Sequence, residues 1–547
     1  MKGLMQDYPL VLNSLLDYAA KFHREQEVIT CTVEGGLHRY TYADMHKRAQ
    51  LCSLALHHMG VKEGTIVGTL AWNTYRHMES WYGIMGLGAV THTLNPRLFE
   101  RELHYIVNHA EDQYIILDLT FVTLMVKLQH KMPTVKGFII LTDRQHMRTD
   151  CKLHNVMCYE DMLEAQVRHL PFRWHVKDEH LACGLCYTSG TTGNPKGVLY
   201  SHRSNFLHAL VCSPFDVQKL GSCTCFCALV PMFHANAWGL VFAAPLTGAR
   251  LILPGPHLNG KSIYHMLEKF QVTDTAGVPT VYLGLLDYMA CSKQTKLHHL
   301  KMIIVGGAAC PRKVFDAFDS MGVEVRHSWG MTEMSPVGVM ATPKGSQLPL
   351  SKDEEVRCRM TQGRPPLFTD MRIVNDGGQE LPWDGGAAGE LQVRGPHVIR
   401  AYFKHSEPSA VDAQNWFRTG DVASIDPLGF LRITDRSKDV IKSGGEWISS
   451  IDIENAAMSH QHVMEAAVIA VPHPKWTERP LLVVVPAPES NLSRDDVLKF
   501  LQGKVARWWI PDDAVFVKDI PHTATGKVSK LKLRQQFKDF RFDKSKL

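Results

Sequence analysis

A chain of 547 residues exceeds what one hydrophobic core supports, so two or more domains are expected. Its 45% hydrophobic and 21% charged content is that of a soluble globular protein, and a net charge of +5 over this length is too small to argue for nucleic acid. No apolar run reaches membrane-span length, the first residues lack a signal peptide's apolar core, and thirteen cysteines without disulfide-like spacing fit a reducing cytoplasm.

Leu12, Leu15, Leu16, Ala19 and Phe22 fall at helical spacing and predict an amphipathic first helix. Residues 28–33 and 38–41 predict a hairpin across Gly35 and Gly36. Strand segments at 65–72, 114–117 and 137–141 then alternate with a helix near 76–87, and apolar runs at 250–253 and 301–305 extend the series. This alternation predicts an α/β architecture with a largely parallel sheet covered by helices.

The short apolar run 181–186 leads into Tyr187-Thr188-Ser189-Gly190-Thr191-Thr192-Gly193-Asn194-Pro195-Lys196-Gly197-Val198. Glycines, hydroxyls and one lysine so placed can turn backbone N–H groups and side chains toward a polyphosphate. It is not a Walker A loop, because Gly197 and not Ser or Thr follows Lys196 and no helix begins at once. A flexible linker is the plainer reading, but linkers are not usually fed by a buried strand. Cys183 and Cys186, three apart on the strand, are expected on opposite faces, and Cys223, Cys225 and Cys227 on one face of another strand; both sets read as core.

In Pro231-Met232-Phe233-His234-Ala235-Asn236-Ala237-Trp238-Gly239, His234 and Trp238 share one side of a helix if a helix starts after Pro231. Composition alone favours a core aromatic beside a capped histidine. Gly306-Gly307-Ala308-Ala309 follows a strand and lets either a flat base or a packed neighbour approach the backbone. Glu333 ends Trp329-Gly330-Met331-Thr332-Glu333, and an isolated glutamate is usually a solvated one. Turn-rich segments 375–378 and 384–389 beside a strand at 390–394 predict a small β subdomain ending at Thr419-Gly420-Asp421. The charged run 435–447 reads as an exposed linker. Beyond it a helix at 451–458, strands at 463–471 and 481–485 and a helix from Ser493 form an α+β unit. Lys527 closes Thr525-Gly526-Lys527, and the basic helix 531–540 reads as packed on this unit and not as a membrane anchor.

Taken in order, the phosphate loop, the His-Ala-Asn-Ala-Trp segment, the Gly-Gly-Ala turn, Trp-Gly-Met-Thr-Glu, Thr-Gly-Asp, the charged linker and Thr-Gly-Lys resemble the motifs of the adenylate-forming superfamily of acyl-CoA synthetases, luciferases and amino-acid adenylation domains. The chain is most similar to bacterial medium- and long-chain fatty acyl-CoA synthetases and the related 3-methylmercaptopropionyl-CoA ligases. No aspartate stands between Pro231 and Gly239, where amino-acid adenylation domains grip their substrate's amine. The resemblance implies a large adenylation domain (1–434) with a small β subdomain, a hinge (435–439) and a mobile α+β domain (440–547). It implies an AMP-forming ligase that takes ATP, CoA and a fatty acid, with Mg2+ as cofactor, no nucleic acid, no stable membrane anchor, and a quaternary structure compatible with a homodimer.

The resemblance also assigns roles. Thr188, Ser189, Gly190, Thr191, Thr192, Gly193 and Lys196 serve the phosphates, Gly307, Ala308, Trp329, Gly330 and Thr332 the adenine side, and Asp421 with Arg436 the ribose. Lys438 is the pivot and Trp447 lies by the nucleotide after closure. Glu333 and Thr188 hold the magnesium, with Thr191 or Thr192 the next choices to Thr188. His234 and Trp238 line the acyl entrance. The catalytic set is Lys527 for the first half-reaction, Lys442 for the second, His234 and Glu333. A short-chain acyl-CoA ligase, an enzyme loading a carrier protein and an inactive acyl-nucleotide sensor are the competing readings.

Overall fold

The computed structural model describes residues 1, 3–147, 151–188, 194–214, 216–407, 409–436, 438–443, 446–488, 490–523 and 527–542, with Glu446 and Trp447 by backbone alone. Among the described residues the strands form four sheets. In the seven-stranded sheet, Val156–Cys158, Gly137–Ile140, Tyr114–Leu117, Ile66–Leu70, Val90–Thr93 and Ala182–Thr188 lie side by side and parallel. Lys196–Ser201 closes its edge antiparallel. The eight-stranded sheet has Arg250–Leu253, Cys225–Ala228, Asp274–Gly277, Met302–Gly306 and Glu324–Gly330 parallel at its centre. Glu27–Cys31 and Leu37–Thr41 form the predicted hairpin at one edge. Most residues of these parallel strands are buried whichever face they point to, as expected for sheets of this kind.

Some helices begin where a short polar side chain satisfies a first N–H group. Thr41 and Asp44 form a reciprocal capping box at Tyr42–His58, and the Ser201 hydroxyl accepts from the Ser204 N–H at the start of His202–Cys212. The first helix, Asn13–Phe22, buries Leu12, Leu15, Leu16 and Ala19 as its spacing predicts, but Phe22 is 60% exposed. It is the last helical residue, past the final turn of the apolar stripe.

A charged cluster ties the hairpin to the first helices. Arg48 donates to Glu79 Oε1 at 2.7 Å and to both Glu160 oxygens at 3.0 and 2.9 Å, while Arg76 donates to Glu160 at 2.7 Å and to Glu34 at 2.5 Å.

The antiparallel four-stranded sheet of Asp370–Val374, Ala388–Arg394, Phe417–Ile425 and Leu431–Arg436 is the β subdomain. Beyond it Val463–His473 and Thr477–Pro486 pair over their lengths, with Ser450–Met458 and Lys530–Gln536 packed against the first of them. No helix of the described residues is long and apolar enough to cross a membrane.

The cysteine sets are core as expected, with one exception. Cys183 and Cys186 are both buried in one core cluster. Cys225 and Cys227 are buried on the strand Cys225–Ala228, whereas Cys223 lies before it and is exposed. Burial raises the pKa of Cys183, Cys186, Cys212 and Cys227.

Candidate active site

The strand Glu324–Gly330 and the turn after it bring the first part of the site together. Gly330 accommodates a tight return of the chain, since a Cβ there would lie 2.1 Å from the Pro336 carbonyl oxygen. The short 3₁₀ turn Thr332–Met334 then carries Glu333 inward, 7% exposed, and not out to solvent as isolated glutamates usually are. The Tyr402 hydroxyl donates to Glu333 Oε1 at 2.9 Å, and Tyr200 donates to the Thr332 carbonyl at 2.7 Å. Burial raises the Glu333 pKa, opposed by the Tyr402 hydrogen bond and the Arg436 cation.

Asp421 enters from the β subdomain, where it lies directly opposite Arg436 in the ladder. It is 3% exposed. The Trp329 Nε1–H donates to its Oδ2 at 3.0 Å, and Arg436 Nε lies 2.8 Å from its Oδ1. Burial pushes its pKa up, opposed by the Arg436 cation and the indole N–H. Trp329 finds room because Gly338 has no side chain: a Cβ there would sit 2.7 Å from the indole. Asp421, Trp329 and Arg436 thus form one hydrogen-bonded unit.

Gly307 turns the chain at φ +79°, and Ala308 beside it is exposed. Lys527, from the far end of the sequence, reaches this turn, its Cε 3.8 Å from where a Gly307 Cβ would stand. Its ammonium feels the charges of Arg436, Asp421 and Glu333; burial first, then Arg436, bring its pKa down to about 8. Thr188 and Lys196, the two ends of the glycine- and hydroxyl-rich loop, pair across the sheet edge, and Lys196 Nζ stands 4.7 Å above the Tyr402 ring centroid. Ser189, Gly190, Thr191, Thr192 and Gly193 lie outside the described residues, as does the Trp447 side chain.

His234 and Trp238 do not lie on one side of a right-handed helix. Ala235, Asn236, Ala237, Trp238 and Gly239 have φ of 38°, 62°, 49°, 57° and 81°, a left-handed turn. Tertiary bonds hold it: Gln218 donates to the Trp238 carbonyl at 3.0 Å and Asn236 to Asn205 at 3.2 Å, while the His208 ring fills the space beside Gly239. The turn lays the indole 3.1 Å from the Cβ position of Gly306, on the same turn that Lys527 meets. Burial, with Arg97 and Lys527 nearby, brings the His234 pKa down to about 3, so the ring is neutral at pH 7; its Nε2 is buried without a hydrogen-bond partner among the described residues. Lys438 is exposed two residues after Arg436, and burial lowers its pKa. Lys442 is exposed on Ile441–Ser443, where its backbone N–H donates to Glu478 at 3.0 Å.

Glu333 offers the hard oxygen that a cation bridging phosphates requires. Among the described residues no cluster of three or more His, Cys, Asp or Glu could hold a metal by itself. A magnesium ion therefore fits here if phosphate and water oxygens complete its shell. Tyr402 was not legible as part of the site: its partners Glu333 and Lys196 are remote in sequence, and an aromatic between Ala401 and Phe403 carries no motif of its own.

A buried carboxylate tied to an indole, a second under a phenol and a low-pKa lysine over a glycine turn define a nucleotide-handling enzyme built from α/β layers. The chain belongs to the AMP-binding enzyme family, which matches residues 16–403, with the AMP-binding enzyme C-terminal domain at 452–527. It is 43% identical over 540 residues to a medium-chain-fatty-acid–CoA ligase of Ectopseudomonas oleovorans, covering 98% of each chain. It is also 43% identical over 541 residues to a 3-methylmercaptopropionyl-CoA ligase of Ruegeria lacuscaerulensis, covering 98% of this chain and 99% of that one. The fold matches that of an anthranilate CoA ligase in complex with anthranoyl-AMP at a TM-score of 0.86 and 23% identity, over 98% of this chain and 99% of that one.

Proposed function

We propose that the protein is an AMP-forming fatty acid:CoA ligase. The observation that carries this reading is the convergence of Glu333, Asp421, Arg436 and Lys527 around the Gly307 turn. A carboxylate is a poor acyl donor, so one of its oxygens attacks the α-phosphorus of ATP and pyrophosphate leaves. The CoA sulfur then attacks the acyl carbon of the acyl-AMP, and AMP leaves. In the first step Lys527 stands against the negative charge that builds on carboxylate and phosphate, an electrostatic role of the kind that dominates such sites. Asp421, paired with Arg436, accepts from the ribose hydroxyls. Trp329 and the Gly307-Ala308 turn flank the adenine, with Gly330 and Thr332 beside them. Thr188 to Gly193 and Lys196 receive the phosphates. Glu333, with Thr188, would hold magnesium, whose bound charge screens the phosphate oxygens.

For the second step, residues 440–547 pivot at Lys438 within the hinge 435–439, bringing Lys442 toward the site and Trp447 beside the nucleotide. The neutral His234 ring and Trp238 border the acyl chain. The fatty acid, ATP and CoA act as free substrates, and a homodimer is part of the proposal, tested by sedimentation.

The assay is carboxylate-dependent AMP formation over a series of acids, with and without CoA. Fast turnover of octanoate to dodecanoate only when CoA is present supports the reading. Release of AMP that free CoA does not stimulate would replace it with carrier loading, and no AMP from any acid with an inactive sensor. The 43% identity to a 3-methylmercaptopropionyl-CoA ligase favours one second reading, a short-chain ligase, which a preference for acids of three to five heavy atoms would select.

A further inference from the structure

We propose that Tyr402 is a positioning residue that fixes the Glu333 carboxylate relative to Lys196 and is required for metal-dependent ATP binding. The inference rests on the reading of Glu333 as the metal-binding carboxylate.

One phenol faces two opposite charges. Its hydroxyl donates to Glu333 Oε1 at 2.9 Å, and the Lys196 ammonium sits over its ring at 4.7 Å. The segment carrying it is itself fastened on both sides of Tyr402. The Ile399 N–H donates to the Glu333 carbonyl at 2.8 Å, and the Phe403 N–H to the Gly197 carbonyl at 2.9 Å. Farther on, Lys404 donates to the His109 carbonyl at 3.2 Å and to Glu111 at 2.7 Å. Residues 399–404 therefore strap the base of the phosphate loop to the turn that carries Glu333.

The backbone bonds set where Glu333 is; they do not set where its carboxylate points. The terminal torsion of a glutamate is broad, so a free carboxylate samples a wide arc. The Tyr402 hydroxyl removes that freedom by occupying Oε1, and it leaves Oε2 to face a ligand. The ring below Lys196 does the same for a long, flexible cation on the other side. Orientation of this kind matters most where a charged group must meet a ligand at hydrogen-bonding or coordination distance.

The test uses the full chain and measures ATP affinity by calorimetry, with excess Mg2+ and again in EDTA. Tyr402→Phe keeps the ring beneath Lys196 and removes only the hydroxyl. It should weaken ATP binding about tenfold or more with Mg2+, the scale of a hydrogen bond to a charged group, and less than about twofold in EDTA. On a Glu333→Gln background the same substitution should change affinity less than about twofold, because the partner is already altered. Tyr402→Leu should weaken ATP binding under both conditions, since the support under Lys196 goes as well.

Equal weakening with Mg2+ and in EDTA for Tyr402→Phe would mean that the ring merely supports the fold, and would overturn the inference. So would wild-type affinity with Mg2+. If Glu333→Gln loses the metal dependence and Tyr402→Phe keeps it, this inference alone fails. If Glu333→Gln itself retains full metal dependence, the reading of Glu333 fails and the inference falls with it.

Discussion

The ionisation of Lys527 gives the site a pH limb of known sign. Burial and the Arg436 cation take its pKa from 10.5 to about 8, against the opposing pull of Asp421 and Glu333. The ammonium is the form present below that value, and it is lost as pH rises through it. The charged fraction in the free enzyme therefore falls from about nine-tenths at pH 7 to about one-tenth at pH 9. Because kcat/KM reports the free enzyme, kcat/KM for acyl-AMP formation should drop close to tenfold over that interval. The limb in kcat should lie higher, since bound phosphates favour the cation.

Lys527→Ala should lose about a hundred- to a thousandfold in acyl-AMP formation, the usual scale for a group that meets developing charge, and should lose the limb as well. Thioester formation from supplied acyl-AMP should persist. The assay is pyrophosphate release between pH 6 and pH 10, with preformed acyl-AMP as the control for the second step. A flat wild-type profile between pH 7 and pH 9, or an unchanged limb in Lys527→Ala, would refute the assignment; so would equal loss of both half-reactions.

Trp238→Ala should shift the chain-length preference while leaving the dependence on ATP concentration nearly unchanged. In the wild type each added methylene should raise kcat/KM about fourfold until the acyl site proposed beside Trp238 is full, from about 0.8 kcal/mol per buried group; a flat series from acetate to dodecanoate would contradict this. Lys438→Pro, which fixes φ at the proposed pivot, should spare acyl-AMP formation and slow the CoA step, as should Lys442→Ala. Unchanged thioester rates in both variants would remove the rotation account. Arg48→Met leaves Glu79 buried without its guanidinium, while Glu160 keeps Arg76, and should cost about 3–5 kcal/mol, read as a lower urea midpoint; an unmoved midpoint would show the Arg48–Glu79 pair to be dispensable.

The parts of the fold that sequence revealed are those set by local pattern. The parallel strands at Tyr114–Leu117 and Arg250–Leu253 fall on the predicted residues because a buried strand is a short apolar run bounded by polar turns. The strand Lys196–Ser201 was hidden by the Pro195-Lys196-Gly197 composition at its start, which reads as loop. The Ala235–Gly239 turn lies beyond any propensity argument. Left-handed backbone costs about 1–2 kcal/mol per non-glycine residue, and here it is held by Gln218, Asn205 and His208 from other parts of the chain. In the site, the motif residues were legible because each has a fixed neighbour in sequence. Arg436 and Asp421 meet through a strand register, and Tyr402 reaches Glu333 across 69 positions, so neither contact has a local signature.

The buried thiols carry a consequence for an enzyme that makes an activated acyl group. An acyl-adenylate acylates any thiolate it meets, and the protein's own sulfur stands close to the phosphate loop: Cys186 lies on the strand that leads into it, its Sγ 3.1 Å from Thr93 Oγ1. Burial raises its pKa, and those of Cys183 and Cys212, so these sulfurs stay protonated and poorly nucleophilic at neutral pH. Self-acylation is thereby suppressed by desolvation. The acyl group is left for a thiol that arrives from solution and ionises only where the protein lets it.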